Sequence, residues 1–436
     1  MTSETRTKAL LRSASMFAAA ALCGTAALAQ TAPAALAVPA PVPGSVQATP
    51  SMLTLRGLFD AAWSRQPEAL ALQARRDAAR AQQGAAQAWT PEPAALELSS
   101  KTDRLGHNQG AREIELGISV PLWLPGERAR SAALAEAEGA AIESRATAAQ
   151  LRVAAAVRDA WWQWQRARIE VDTARDQGES SRLIAADVAR RVQAGDLARA
   201  DQHQADGAVA GAQAHLAQAQ AGLSVAWQQL RALAGFAPAL SRVDDIGAEP
   251  EPEAAATELE AHAALQELKD RAAVAERTLA LTATQSRANP ELMLATTRDR
   301  SARGDSSRQT VTLGIRIPFG AGPRLDARSA HARAEATETQ AQLALERERL
   351  AAEREAARVK AQATAAQLAA TERRAQLARE SRGFFDKSFR LGETDLPTRL
   401  RIEAEAAEAE RQAARTRIEL AAAVSAWRQA LGLLPQ

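Results

Sequence analysis

The chain has 436 residues, of which 46% are hydrophobic, 24% charged and only 3% aromatic, with no Tyr and a single Cys. That length suits two or three domains, but so few aromatics are thin material for ordinary globular cores, so close packing of small, Ala-rich helices is the expected substitute. Lys and Arg number 54 against 52 Asp and Glu, a balance that leaves no electrostatic footprint for nucleic acid.

The N-terminus carries Lys8 and Arg12, an apolar run from Ala14 to Leu22, and Ala27-Leu28-Ala29 before Gln30. These are the three parts of a secretory signal, so residues 1–29 are read as a signal peptide cleaved after Ala29. Cys23 leaves with it, which removes disulfides, thiol catalysis and cysteine metal sites from the mature chain. The alternative is a lipid anchor on Cys23, against which Leu22 stands where a small residue normally precedes the modified Cys. Residues 30–52 are rich in Pro and Ala and carry no charge, and read as an extended leader. No window of about 18 uninterrupted apolar residues follows, so any entry into a membrane is not by a helix.

Five Gly or Pro positions recur at one offset of 197 residues: Pro93 and Pro290, Gly117 and Gly314, Pro121 and Pro318, Gly195 and Gly392, Gly235 and Gly432. The chain is therefore read as a tandem duplication. Copy one spans 53–236, a Pro- and Glu-containing linker 237–255, and copy two 256–436.

Each copy opens with a helix, LTLRGLFDAAWSRQPEALALQARRDAARAQQGAAQA in the first and ELEAHAALQELKDRAAVAERTLALTATQSRA in the second. A strand pair follows, at about 93–122 and 290–319, its members joined by the polar turns DRLGHNQGA and DRSARGDSS. In the second strand of copy one, Ile114, Leu116, Ile118, Val120 and Leu122 alternate with Glu113, Glu115, Gly117 and Ser119. Copy two sets Val311, Leu313, Ile315, Ile317 and Phe319 against Thr310, Thr312, Gly314 and Arg316. Strands of about 10 residues are long enough to cross a tilted bilayer, although a soluble hairpin with one buried face has the same pattern.

The helices weigh against a soluble hairpin. No Pro occurs between Pro125 and Pro238 or between Pro323 and Pro397, so each copy can hold a helix of about 70 residues, roughly 100 Å long. Val153, Val157, Ala160, Trp164, Ala167, Val171 and Ala174 recur at spacings of three and four, as do Leu350, Ala357, Ala361, Thr364, Leu368 and Ala375. This is a coiled-coil seam. Gly195 and Gly392 then turn the chain, giving helical hairpins at about 125–234 and 321–432.

A strand pair too small to be stable alone, joined to helices of that length, makes sense as one segment of an assembly. The fold class is mainly α with a small β part: duplicated long helical hairpins as an α-barrel or coiled coil, plus four strands contributing to a shared transmembrane barrel, since a membrane tolerates only closed barrels.

The same order of elements twice, with LTLRGLFDAAWSRQPE, PEPAALELS, GISVPLWLPGERARSAALAEAE and GIRIPFGAGPRLDARSAHARAEA, resembles the TolC-like outer-membrane factor family. The resemblance implies a homotrimer with a 12-stranded barrel in outer-membrane lipid and a helical tunnel across the periplasm. It implies a passive exit duct that docks a periplasmic adaptor (membrane fusion protein) and an inner-membrane pump of RND type. No enzyme activity, cofactor or metal site is expected. The compact strand connections look similar to the heavy-metal branch of the family; drug or organic-solute efflux, and a non-conducting periplasmic bridge, are the alternatives.

By the same resemblance, the periplasmic gate candidates are Asp196, Asp201, Glu393 and Asp395, and the turns gripped by an adaptor contain Gly195, Leu197, Gly392 and Thr394. The plainer reading of these acids is solvated residues near a helix N-terminus. Thr398 and Arg401 stand where some members carry acids, and Pro397 begins the returning helix. Pro121 and Pro318 mark the junctions where sheet becomes helix, because Pro cannot donate to a ladder. His107, His203, His215, His262 and His331 lack metal-ligand spacing and are read as surface residues. Trp161, Trp162 and Trp164 are read as helix packing rather than a ligand box, and Arg316 as either lumen-lining or solubilising.

Overall fold

The computed structural model describes residues 54–106, 108–235, 247–253, 258–319 and 322–436. They belong to one compact unit, Pro50–Gln436; the signal peptide, the leader, His107 and most of the linker lie outside the described residues. In chain order the elements are α1 (Leu55–Ser64), α2 (Pro67–Ala86), β1 (Ala95–Thr102), β2 (Arg112–Pro121), α3 (Glu127–Ala194) and α4 (Arg199–Ala234). After a single 3-10 turn at Leu259–Ala261 come α5 (Ala263–Thr284), β3 (Glu291–Arg300), β4 (Arg308–Arg316), α6 (Pro323–Arg390) and α7 (Leu396–Ala430).

The opening helix of copy one differs from the expectation: it is two helices. Pro67 occupies the first turn of α2 and Gln66 before it is extended, at φ −70° and ψ 139°. Proline has no N–H to continue α1 and pushes its predecessor out of helical geometry. β4 also stops at Arg316, so Ile317 and Phe319 lie beyond the ladder.

Helices α3 and α6 have 68 residues each, about 100 Å at 1.5 Å per residue. Both end in the same device. Gly195 (φ 88°) and Gly392 (φ 78°) take the left-handed conformation, and the next N–H reaches back, Asp196 to the Arg191 carbonyl at 2.9 Å and Glu393 to that of Ser388 at 3.0 Å. These are the carbonyls a helix C-terminus leaves unpaired.

Seam positions Val157, Ala160, Trp164, Val171 and Ala174 are buried, as are Leu350, Ala361, Thr364 and Ala375. Trp161, Trp162 and Trp164 are all buried, in a core with Leu58 and Phe59 of α1, Leu230 of α4 and Ile418 of α7. Their role is packing: the Trp161 and Trp164 rings are 5.3 Å apart and Trp164 and Trp227 6.2 Å.

One buried polar group ties the copies together, and a second caps a helix. Glu249, in the linker, accepts from Arg158 of α3 at 2.7 and 2.8 Å and from Arg428 of α7 at 3.2 Å, with Ser425 also donating to it. His262 is the exception to the surface reading of the histidines: it is 5% exposed and caps α5, its Nδ1 accepting the Ala264 N–H at 3.3 Å. His203 and His331 are exposed.

The four strands form one antiparallel sheet in the order β1-β2-β3-β4. The central pair, β2 with β3, joins one copy to the other, with Arg112 opposite Arg300 and Pro121 opposite Glu291. β1 and β4 are the edges. Among the described residues no helix is long and apolar enough to cross a membrane.

Candidate functional site: a two-faced sheet and a helical tip

The register sorts the sheet into two faces. On one, Leu96, Ile118, Leu294 and Leu313 stand opposite one another across all four strands, and Leu98, Leu116, Thr296 and Val311 form the adjacent row. In a soluble sheet such a face is the buried one. Here it is the open one: Leu98 is 73%, Leu313 72% and Leu294 52% exposed. On the opposite face Gly117, Ser119 and Ala295 are covered. The soluble-hairpin alternative therefore fails on the direction the apolar side chains point.

The second face is polar and largely self-neutralising. Lys101 pairs with Glu113 at 2.8 Å, Arg308 with Asp299 at 3.2 Å and Arg316 with Glu291 at 3.7 Å. Glu97 and Glu115 form no ion pair among the described residues, although the Lys101 charge also attracts Glu115, and Ser99 donates to Glu115 at 3.5 Å. Of the two roles open to Arg316, this geometry gives it the polar face.

At the helical end of the sheet, Trp89 and Phe319 are almost fully exposed, and the Trp123 indole donates to the Ala88 carbonyl at 3.2 Å. Aromatics at one edge of an apolar band, amphipathic Trp above all, are what a membrane–water boundary selects. Pro121 ends β2 there and Pro318 follows β4 by two residues. The junction is held by Glu127, buried at the start of α3: its carboxylate accepts from the Leu124 N–H at 2.9 Å, Asn289 at 2.8 Å and Gln285 at 2.8 Å. Nothing in the spacing of Glu127 distinguishes it from the many other helix-starting acids.

At the far ends of the hairpins the four gate candidates divide. Asp201 and Asp395 are engaged by backbone N–H groups of their own helices, those of Ala198 at 3.0 Å and Thr398 at 3.3 Å. Asp196 and Glu393 are exposed and form no side-chain hydrogen bond or ion pair among the described residues. Leu197 packs on a small core of Ile184, Val188, Ala205, Phe389 and Leu396, and Thr394 shares a hydrogen bond with Ser388 at 2.6 Å.

That core is closed by a group the sequence reading missed. The Phe389 ring lies between the Arg191 and Arg399 guanidiniums, each 4.6 Å from its centroid. Arg399 pairs with Asp386 at 2.7 Å and Asp187 at 3.6 Å. Two cations on one ring, each neutralised by an acid, fasten α3 to α6 and α7. The available signal was the rarity of Phe, at 7 residues in the chain, with one lying three before a turn glycine.

The outward apolar face, the polar face behind it and the helices of about 100 Å fit a chain whose strands enter a bilayer and whose helices stand outside it. The family model described as outer membrane efflux protein matches residues 58–236. Over those residues the chain is similar to that family. No curated protein matches. Among solved structures, the outer membrane protein VceC from Vibrio cholerae is similar at 18% identity and TM-score 0.68, over 87% of this chain and 96% of that one. CusC is similar at 16% identity and TM-score 0.73, over 87% and 92%. The open state of the Neisseria gonorrhoeae MtrE outer membrane channel is similar at 15% and 0.65, over 87% and 89%. At these identities the likeness is one of fold, and it extends to both copies.

Proposed function

We propose that three copies of the chain join edge to edge, β1 of one against β4 of the next, so that their four-stranded sheets close a 12-stranded barrel and their hairpins a continuous tube. The observation that carries this is the open apolar row Leu96, Ile118, Leu294 and Leu313. Lipid is the solvent that such a row fits, and in lipid each unpaired edge group costs several kcal/mol, so the edges must find partners.

The duct is passive and is filled from the tip. A periplasmic adaptor grips the turns at Gly195 and Leu197 and at Gly392 and Thr394, and couples the duct to an inner-membrane pump of RND type. Asp196 and Glu393, which have no capping duty, are the acids of the gate. The cargo is heavy-metal ions rather than drugs. Supporting this are the short strand connections and the excess of carboxylate over cation on the polar face, where Glu97 and Glu115 remain after the three ion pairs.

Two measurements test the reading. Purified protein should run as a heat-modifiable trimer and conduct ions across planar bilayers; a monomer released from membranes by washing would instead be a non-conducting bridge. A deletion strain carrying the gene on a plasmid should regain tolerance to metals, whereas recovery on dyes, detergents and antibiotics alone would refute the cargo and leave the duct.

A further inference from the structure

At the end of the sheet away from the helices, the outward face changes from apolar to cationic. Arg112 of β2 stands directly opposite Arg300 of β3, and Arg298 stands opposite Ile114 one step nearer the apolar rows. Like charges directly across a ladder are destabilising unless something neutralises them. Nothing on this face does, since its other residues at this level are Ser100, Thr102 and Gln309.

The acids at this end are committed elsewhere. Glu113 holds Lys101, Asp299 holds Arg308, and Asp103 accepts the Gly110 N–H at 2.9 Å. Asp305, in the β3–β4 turn, forms no ion pair with any of the three arginines. Arg300 donates to the Gly110 carbonyl through Nε and Nη2 at 3.3 and 3.2 Å, and Arg298 donates through Nε to Ser307 at 3.1 Å. Each guanidinium has five N–H donors in a fork that fits a tetrahedral oxyanion two at a time, so most donors on these three side chains are unused.

Resting on the membrane placement proposed above, we infer that Arg112, Arg298 and Arg300 form a binding surface for outer-leaflet lipid headgroups that carry phosphate monoesters, as opposed to the zwitterionic phosphodiester of phosphatidylethanolamine. The position follows from cost. An Arg on the lipid face is expensive at the bilayer midplane and nearly free at the interface, and the three lie beyond Leu116 and Ile118 at the end remote from the Trp89 boundary. An anion there lifts the like-charge repulsion and gains bidentate, charge-assisted hydrogen bonds. A free phosphate ion has the same donors to meet but no acyl chains to hold it beside Ile114 and Leu116.

The test uses the full-length protein in three kinds of vesicle: phosphatidylethanolamine alone, the same with diphosphorylated lipid A, and the same with dephosphorylated lipid A. The wild type should show a higher melting midpoint of the trimer with the diphosphorylated lipid A only, an effect that shrinks with added salt. Inorganic phosphate added to the first vesicles should not reproduce it. The R112Q/R298Q/R300Q variant should lose the rise while melting normally in phosphatidylethanolamine, and R104Q/R303Q, which removes loop cations, should keep it. If the triple Gln variant does not assemble, the Lys triple variant substitutes for it: charge without the fork should weaken the rise. An undiminished rise in either triple variant, or an equal rise with dephosphorylated lipid, would overturn the inference while leaving the channel intact. Failure of the wild type to insert into any vesicle would remove the membrane placement itself.

Discussion

The Asp201 carboxylate accepts the N–H of Ala198, three residues before it, at 3.0 Å, whereas Asp395 accepts that of Thr398, three residues after it, at 3.3 Å. With the offset of 197 residues, Ala198 corresponds to Asp395 and Asp201 to Thr398. Each returning helix therefore keeps one half of a capping box, and the two copies keep opposite halves. D395A should cost roughly 1 kcal/mol of stability, the usual loss for an N-cap acid, and D201A less, both read by denaturant unfolding. D196N/E393Q should leave stability unchanged and alter single-channel conductance. If the capping variants alter conductance as much at matched stability, the division of roles is wrong.

Glu249 is held by Arg158 and Arg428 with its side chain 1% exposed. Removing a carboxylate from such a site leaves two cations buried without compensation, at a cost of about 3–5 kcal/mol. E249A should lower the unfolding free energy by that order. A loss within the range of an exposed pair, below about 1 kcal/mol, would show that the linker does not pin α3 to α7.

Burial pushes the His262 imidazole below its usual value of 6.5, and Arg354 of α6 acts the same way, against Glu346 and Glu353 and a backbone contact with Gln429. A depressed folded pKa means that the stabilisation is complete above about 6.5 and is lost as pH falls toward the folded value, because protonation also destroys the acceptor that caps α5. The wild type should therefore lose more thermal stability on acidification than H262N, whose side chain caps without titrating. Parallel pH profiles for the two proteins would exclude His262 as the cause.

With the barrel closed as proposed, Glu97 and Glu115 face the lumen outside the three ion pairs of the polar face. E97Q/E115Q should reduce the preference for cations over anions several-fold, seen as a shift of reversal potential toward zero across a KCl gradient. An unchanged reversal potential would assign ion selectivity to the tip.

The long helices, the strand alternation and the turn glycines were legible because each is written locally: absence of Pro over tens of residues, period two, and Gly where φ must be positive. Pro67 carried an equally local signal, and the break between α1 and α2 follows from it. What could not be read is what depends on distant partners. Glu249 meets Arg158 and Arg428 across separations of 91 and 179 residues, and His262 is buried only because α6 and the C-terminal end of α7 cover it. The capping bonds of Asp201 and Asp395 were equally hidden, since they turn on a few ångströms in how each side chain meets its own helix.

The ladder between β2 and β3 has a further consequence for how the barrel comes together. A chain of one copy contributes two strands, and six such chains would have to find one another to supply the 12 strands proposed above; here half of those encounters occur within a single molecule. Each intramolecular pairing replaces a bimolecular step, with its loss of translational and rotational freedom, by the closure of a loop whose cost rises only slowly with length. Assembly of the proposed trimer then depends on the third power of chain concentration instead of the sixth, which suits a dilute intermediate.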